Sequence, residues 1–77
     1  MNKRRRKEIN KAMERIEELT WFLTALAEEE QEAIDNLPES LQCTDRGDAM
    51  NENIMDLEGA SSELDDIKSS LQEITLR

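Results

Sequence analysis

The sequence predicts an all-α fold, an antiparallel helical hairpin of the coiled-coil type. Apolar residues recur at steps of three and four along two long segments, which is the pattern of one helical face. Only two glycines and one proline occur in 77 residues, so the chain has few turns with which to connect short strands. The proline lies between the two segments, and a short connector there predicts that the two helices run antiparallel.

The first helix is predicted from about residue 3 to residue 35. At a rise of 1.5 Å per residue such a helix extends for roughly 45–50 Å. This length is too great for a compact domain of 8.9 kDa, so we expect the helix to lie along an equally long partner. Its apolar stripe consists of Ile9, Ala12, Met13, Ile16, Leu19, Phe22, Leu23, Leu26, Ala27, Ala33 and Ile34.

The connector is predicted over residues 36–44. Pro38 disfavours a helical conformation of the residue before it, so the first helix should end near Asn36. Pro38 itself fits the first turn of a short helical segment. Either Thr44 or Asp45 has a side chain suited to cap the helix that follows.

The second helix is predicted from about residue 45 to residue 75. Gly59 lies inside it and costs about 1 kcal/mol relative to alanine, so it marks either a weak point or a close approach. The apolar stripe of this helix consists of Met50, Ile54, Leu57, Ala60 or Ser61, Leu64, Ile67, Leu71 and Ile74.

The predicted register brings together positions whose numbers sum to about 83. Leu19 then faces Leu64, and Ile16 faces Ile67, so apolar residues meet across the hairpin. Two helices alone bury little surface, and a chain with one cysteine and no histidine has no internal disulfide or zinc site to stabilise it. We therefore expect two copies to form a homodimer, a four-helix bundle.

The composition argues against catalysis and against a bound metal or cofactor. The chain has no histidine and no tyrosine, and its single cysteine, Cys43, has no clustered base nearby to activate the thiol. Carboxylates are plentiful, but a narrow rod offers no concave pocket for a substrate. The segment from Asp45 to Asp48 lacks the ligand spacing of a calcium loop. We predict a protein that is not an enzyme and uses no cofactor.

The charge is unevenly distributed along the chain. The net charge is −9, yet residues 1–16 contain seven basic and two acidic residues, whereas residues 17–77 carry a net charge of −14. The first of these stretches contains a basic head, which consists of Lys3, Arg4, Arg5, Arg6 and Lys7. The head is interpreted either as a contact with a partner such as nucleic acid, or as a solvated or structural feature near the end of the second helix, whose carbonyls and Glu73 can receive its cations. The acidic remainder repels nucleic acid, and no aromatic residue interleaves with the head, so direct nucleic-acid binding is disfavoured.

The most unusual feature is an acidic tip, which we define as residues 28–58. It contains eleven carboxylates and a single basic residue, Arg46. Two interpretations remain open: a solvated face that keeps the chain soluble, or a surface that imitates nucleic-acid phosphates and occupies the basic groove of another protein. The residues predicted to bind such a partner are Glu28, Glu32, Asp45, Asp48, Glu52 and Asp56.

Two aromatic residues are candidates for a contact with another protein. Trp21 lies off the main stripe among polar residues, and it contacts either a partner or a second copy of the hairpin. Phe22 is predicted to fill the core or a self-association interface. No apolar stretch is long enough for a signal peptide or a membrane span, and the low cysteine content favours the cytoplasm.

The basic opening Met1–Ile9, the segment Asp35–Gln42 with its Leu-Pro-Glu-Ser-Leu sequence, and Arg46–Asp48 suggest a family. With the leucine- and glutamate-rich helix that follows, the chain resembles small helical proteins of Gram-positive phages and mobile elements. The resemblance implies a phage or mobile-element origin and the cytoplasm of a bacterial host, and it assigns no residue a role. In size and charge the chain is similar in type to anti-CRISPR and other anti-defence inhibitors.

These observations predict a non-enzymatic protein–protein interaction module. Its most concrete form is a phage-encoded inhibitor that blocks a host defence protein or another nucleic-acid-binding protein through the acidic tip. The alternatives are a homo-oligomeric structural protein and a small nucleic-acid-binding accessory protein that uses the basic head.

Overall fold

The computed structural model describes residues 1–77 and contains three helices. Helix α1 spans Lys3–Asp35, the short α2 spans Glu39–Gln42, and α3 spans Asp45–Thr75. α1 and α3 pack side by side and antiparallel, and together they form a rod with extents of 59 × 14 × 11 Å. The predicted all-α helical hairpin is confirmed for the single chain, and its pairing with a second copy stays a prediction.

The helix ends follow from local capping. Asn2 caps α1, and its side-chain oxygen accepts a hydrogen bond of 2.8 Å from the backbone N–H of Arg5. Asn36 closes the other end of α1, two residues before Pro38. Thr44, rather than Asp45, is the N-cap of α3. Its hydroxyl donates to the carbonyl oxygen of Leu41 instead of capping α3.

Two polar contacts show which residues of α1 and α3 lie opposite each other. The side-chain amide of Asn53 donates to a carboxylate oxygen of Glu30 over 3.0 Å, and these positions sum to 83, as predicted. Nearer the open end, the ammonium of Lys68 lies 3.6 Å from a carboxylate oxygen of Glu17. The position numbers of that pair sum to 85 rather than 83, an offset of two residues, or about 3 Å along the helix.

The core lies in the half of the rod nearer the connector. Four residues of 77 are buried, and the three apolar side chains among them form a single cluster, against which Met50 and Leu57 pack. No comparable cluster exists in the other half. The four buried residues are Ala27, Ile34, Gly47 and Ile54.

Helix α2 packs against the start of α3, and Gln42 at its end contacts the end of α1. The side-chain amide of Gln42 donates to the carbonyl oxygens of Ile34 at 3.2 Å and Leu37 at 3.0 Å. The carbonyl oxygen of Ile34 also accepts from the backbone N–H of Leu37 at 3.0 Å. A Cβ at Gly47 would lie 2.0 Å from the carbonyl oxygen of Gln42. Only glycine therefore allows this approach. Around Gly59 nothing lies within 4 Å of an added Cβ, so that glycine marks no close approach.

The middle of the rod differs from the sequence expectation. Leu19 and Ile67 were expected to face Leu64 and Ile16 across the hairpin, yet they are 50% and 51% exposed. The reason is geometric: the apolar stripe of each helix is wider than the line along which two helices touch. Residues at the edge of the stripe therefore remain open to solvent.

Candidate interaction surfaces

The acidic tip occupies the connector end of the rod, and its exposed carboxylates lie on both helices. Asp45, Asp48, Glu52 and Asp56 recur at steps of three and four, so they form one line on the side of α3 away from α1. Glu28 and Glu32 lie one turn apart on α1, and all six predicted partner residues are exposed. The structure therefore places them on two outer faces of the same end rather than in one concave site.

The carboxylates of the tip have no cationic partners. The two ion pairs of the chain are Lys11–Glu8 and Lys68–Glu17, each at 3.6 Å and each outside the tip. Within the tip, side-chain amides donate to Glu30 and to Asp35 at 3.0 Å, and both donors are neutral. Eleven carboxylates against one basic residue thus concentrate negative potential at one end of a 59 Å rod.

The basic head lies at the opposite end of the rod, in the first two turns of α1. The antiparallel hairpin places the head at the end of α3, and no ion pair joins it to Glu73; the structural interpretation of the head stays a prediction. Arg6 is half-buried with its Nε unpartnered, and the other four cations are exposed. The rod therefore carries unneutralised charge of opposite sign at its two ends.

Trp21 and Phe22 are 64% and 60% exposed, so neither fills the core of the single chain. Consecutive residues of a helix point about 100° apart. Phe22 follows Leu19 by three residues and precedes Leu26 by four, so these three lie on one edge of α1. Trp21 lies on the outer side of α1, beyond that edge. The structure therefore does not join the two aromatic residues into one contact.

A further surface becomes evident only in the folded hairpin, and we call it the apolar face. It consists of the exposed Leu19 and Phe22 on α1 and the exposed Ile67 on α3, beside the half-buried Leu64. An open groove lined by Leu26, Leu57 and two glutamates continues it toward the tip. The groove on the opposite edge beside Lys68 has a single apolar residue in its lining. The sequence pattern predicts Leu19, Leu64 and Ile67 for the core; the exposure of Leu19 and Ile67 becomes evident only in the structure.

The remaining chemical groups are dispersed. No three histidine, cysteine, aspartate or glutamate side chains lie close enough together to bind a metal ion. Cys43 is exposed at the connector. None of the three helices is sufficiently long and apolar to cross a bilayer. Searches of protein-family models, of curated proteins and of solved structures found no match to this chain.

Proposed function

We propose that this chain is a non-enzymatic protein–protein interaction module whose acidic tip binds the basic groove of a nucleic-acid-binding protein. The observation that supports the proposal is the unneutralised charge at one end of the rod. A groove lined with lysine and arginine binds phosphates by charge, and a dense array of carboxylates competes for the same cations. In its most concrete form, the module is a phage-encoded inhibitor of a host defence protein.

The shape of the tip is suited to such competition. The rod extends only 14 × 11 Å across its long axis, so the carboxylates of the tip are concentrated on a narrow end. Its carboxylates face outward on both helices, so a groove that encloses the tip meets negative charge on each wall. Electrostatic attraction of this kind mainly accelerates association, and it weakens as salt is added.

The test compares capture of bacterial lysate proteins by three forms of the full chain. One is the wild type, and one is a tip-neutral variant with Glu28→Gln, Glu32→Gln, Asp45→Asn, Asp48→Asn, Glu52→Gln and Asp56→Asn. The third is a matched control that neutralises six exposed acidic residues outside the tip: Glu14, Glu18, Glu63, Asp65, Asp66 and Glu73.

We expect the wild type and the matched control to capture a nucleic-acid-binding protein that added DNA or RNA displaces. The tip-neutral variant should lose that protein while its melting temperature is unchanged or raised, because repulsion is relieved. Equal capture by all three forms would contradict a role for the tip.

The exposed apolar face favours a second candidate, a homo-oligomeric structural protein. In that case neutralising the tip leaves assembly and biological effect intact, whereas Leu19→Asp or Leu64→Asp abolishes both. Direct nucleic-acid binding by the basic head is expected to be weak, because the −14 remainder of the chain repels the same polymer. Submicromolar DNA or RNA binding at physiological salt would instead favour the accessory-protein alternative.

A further inference from the structure

We propose that the apolar face binds a second copy of this chain, with the two rods antiparallel and related by a two-fold axis through the face. The inference is independent of the partner of the acidic tip. It depends on three observations: the surface area of the single chain, the position of the face along the rod, and the distribution of charge between the two ends.

The single chain exposes more surface than a compact protein of its mass. Its accessible area is 5992 Å², whereas a folded monomer of 8.9 kDa exposes about 4,800 Å². A second copy that covers the excess would bury about 1,200 Å² on each chain. The total of about 2,400 Å² falls within the range of permanent homodimers.

The apolar face lies at the middle of the rod. Leu19 is the central residue of α1, which runs from Lys3 to Asp35, and Phe22 is less than one turn away. A two-fold axis through this point overlays the two rods along their whole length. Every residue of the face then meets the face of the other copy, which is the self-complementary contact that such symmetry requires. An off-centre patch would leave one end of each rod unpaired.

The distribution of charge between the two ends of the rod favours the antiparallel orientation over the parallel one. In the antiparallel arrangement the basic head of each copy lies beside the acidic tip of the other. The parallel arrangement instead places two tips together, each with a net charge of −10. Because residues 1–16 carry +5, each end of the antiparallel dimer keeps a surplus of negative charge, and the acidic tips remain able to attract a basic partner.

The test uses Cys43, the single cysteine of the native chain, which is exposed at the tip. Analytical ultracentrifugation of the unlabelled chain gives the mass and the dissociation constant. A spin label on Cys43 then reports the distance between the two tips. Antiparallel rods centred on the apolar face place these labels about 50 Å apart, the length of α1. Parallel rods place them within about 20 Å, since neighbouring helices are spaced by 8–10 Å.

A double variant, Phe22→Gln with Ile67→Gln, tests the face itself. Both side chains are more than half exposed, so the hairpin should keep its helical content. Dimerisation should weaken by at least about 100-fold, because four apolar side chains lose their burial. Met55→Gln is the matched control: Met55 is 70% exposed and lies on the other side of α3. It should leave the dissociation constant unchanged.

The expected result is a dimer whose labels lie about 50 Å apart. The double variant should disrupt this dimer, and the Met55→Gln control should not. A monomer at every concentration up to the millimolar range would overturn the proposal, as would a dimer with a short distance between labels. A dimer that survives the double variant would also overturn it. None of these results depends on whether the tip binds a basic protein, so failure of one proposal is distinguishable from failure of the other.

Discussion

The connector half and the middle of the rod are built from the same two helices, yet only the connector half closes a core. Near the connector, Ile34 and Ile54 are 6% and 8% exposed, and Met50 and Leu57 pack against them. In the middle, where α1 and α3 have no third element, Leu19 and Ile67 remain half exposed. Two helices bury apolar residues along a single line, and residues at the edge of each apolar stripe stay exposed unless a further segment covers them.

The largest expected effect is at Gly47, where the connector half depends on the absence of a side chain. Gly47→Ala places a Cβ 2.0 Å from the carbonyl oxygen of Gln42, and backbone atoms must move to relieve that clash. We expect a loss of about 3 kcal/mol in the free energy of unfolding. Urea titration followed by circular dichroism measures it. An unchanged unfolding midpoint would show that α2 does not pack as described.

The next effect compares one isoleucine from each region. Ile54→Ala removes a buried side chain from the cluster near the connector and should destabilise the monomer by about 2 kcal/mol, the lower end for such truncations because the core is thin. Ile67→Ala, measured below the concentration at which the chains associate, should cost less than half as much, since Ile67 is 51% exposed. Equal losses of unfolding free energy in the two variants would contradict the difference in burial between the two regions.

A smaller effect is expected from the hydrogen bonds that hold α2 in place. Gln42→Ala removes both bonds to the carbonyl oxygens of Ile34 and Leu37 and should cost about 1.5 kcal/mol in unfolding free energy. Gln31→Ala is the control, because its single bond to Asp35 is exposed. The same urea titration should show at most about 0.5 kcal/mol for that variant. If Gln42→Ala and Gln31→Ala lose the same unfolding free energy, Gln42 does not stabilise the connector half.

The smallest effect is a gain in stability at the second glycine. Gly59→Ala adds a methyl group where nothing lies within 4 Å and replaces a poor helix former in the middle of α3. We expect stabilisation by about 0.8 kcal/mol, measured as a rise in the urea midpoint. The opposite signs at Gly47 and Gly59 separate a glycine required by packing from one that is merely tolerated. Destabilisation at Gly59 would indicate a contact on α3 that the single chain does not contain.

Local rules were sufficient to predict the helices but not the contacts between them. Pro38 and the periodic stripes predict a break and two helices because these signals depend on neighbouring residues alone. The cap at Asn2 could also have been predicted, since asparagine before a helix is a common cap. The importance of Gly47 could not, because it arises from the position of α2 relative to α3. For Gly59 the sequence left open a weak point or a close approach, and the structure excludes the close approach within the single chain.

The candidate surfaces also differ in how far the sequence predicted them. The segregation of charge was evident in the sequence, because a rod maps position along the chain almost directly onto position in space. The apolar face was not evident, since the spacing that puts Leu19 and Ile67 on their stripes does not reveal which edge of a stripe the other helix covers. The separation of Trp21 from Phe22, by contrast, follows from the 100° step between consecutive helix residues and could be predicted from the sequence.

Hydrogen exchange measured at two protein concentrations tests the difference between the connector half and the middle most directly. At low micromolar concentration we expect the amides around Ile34 and Ile54 to be protected and those of residues 18–24 and 62–69 to exchange quickly. At a concentration that favours the dimer, the two middle segments should slow markedly while the connector half changes little. Uniform protection along the rod at both concentrations would contradict the account, because the middle would then be complete without a second chain.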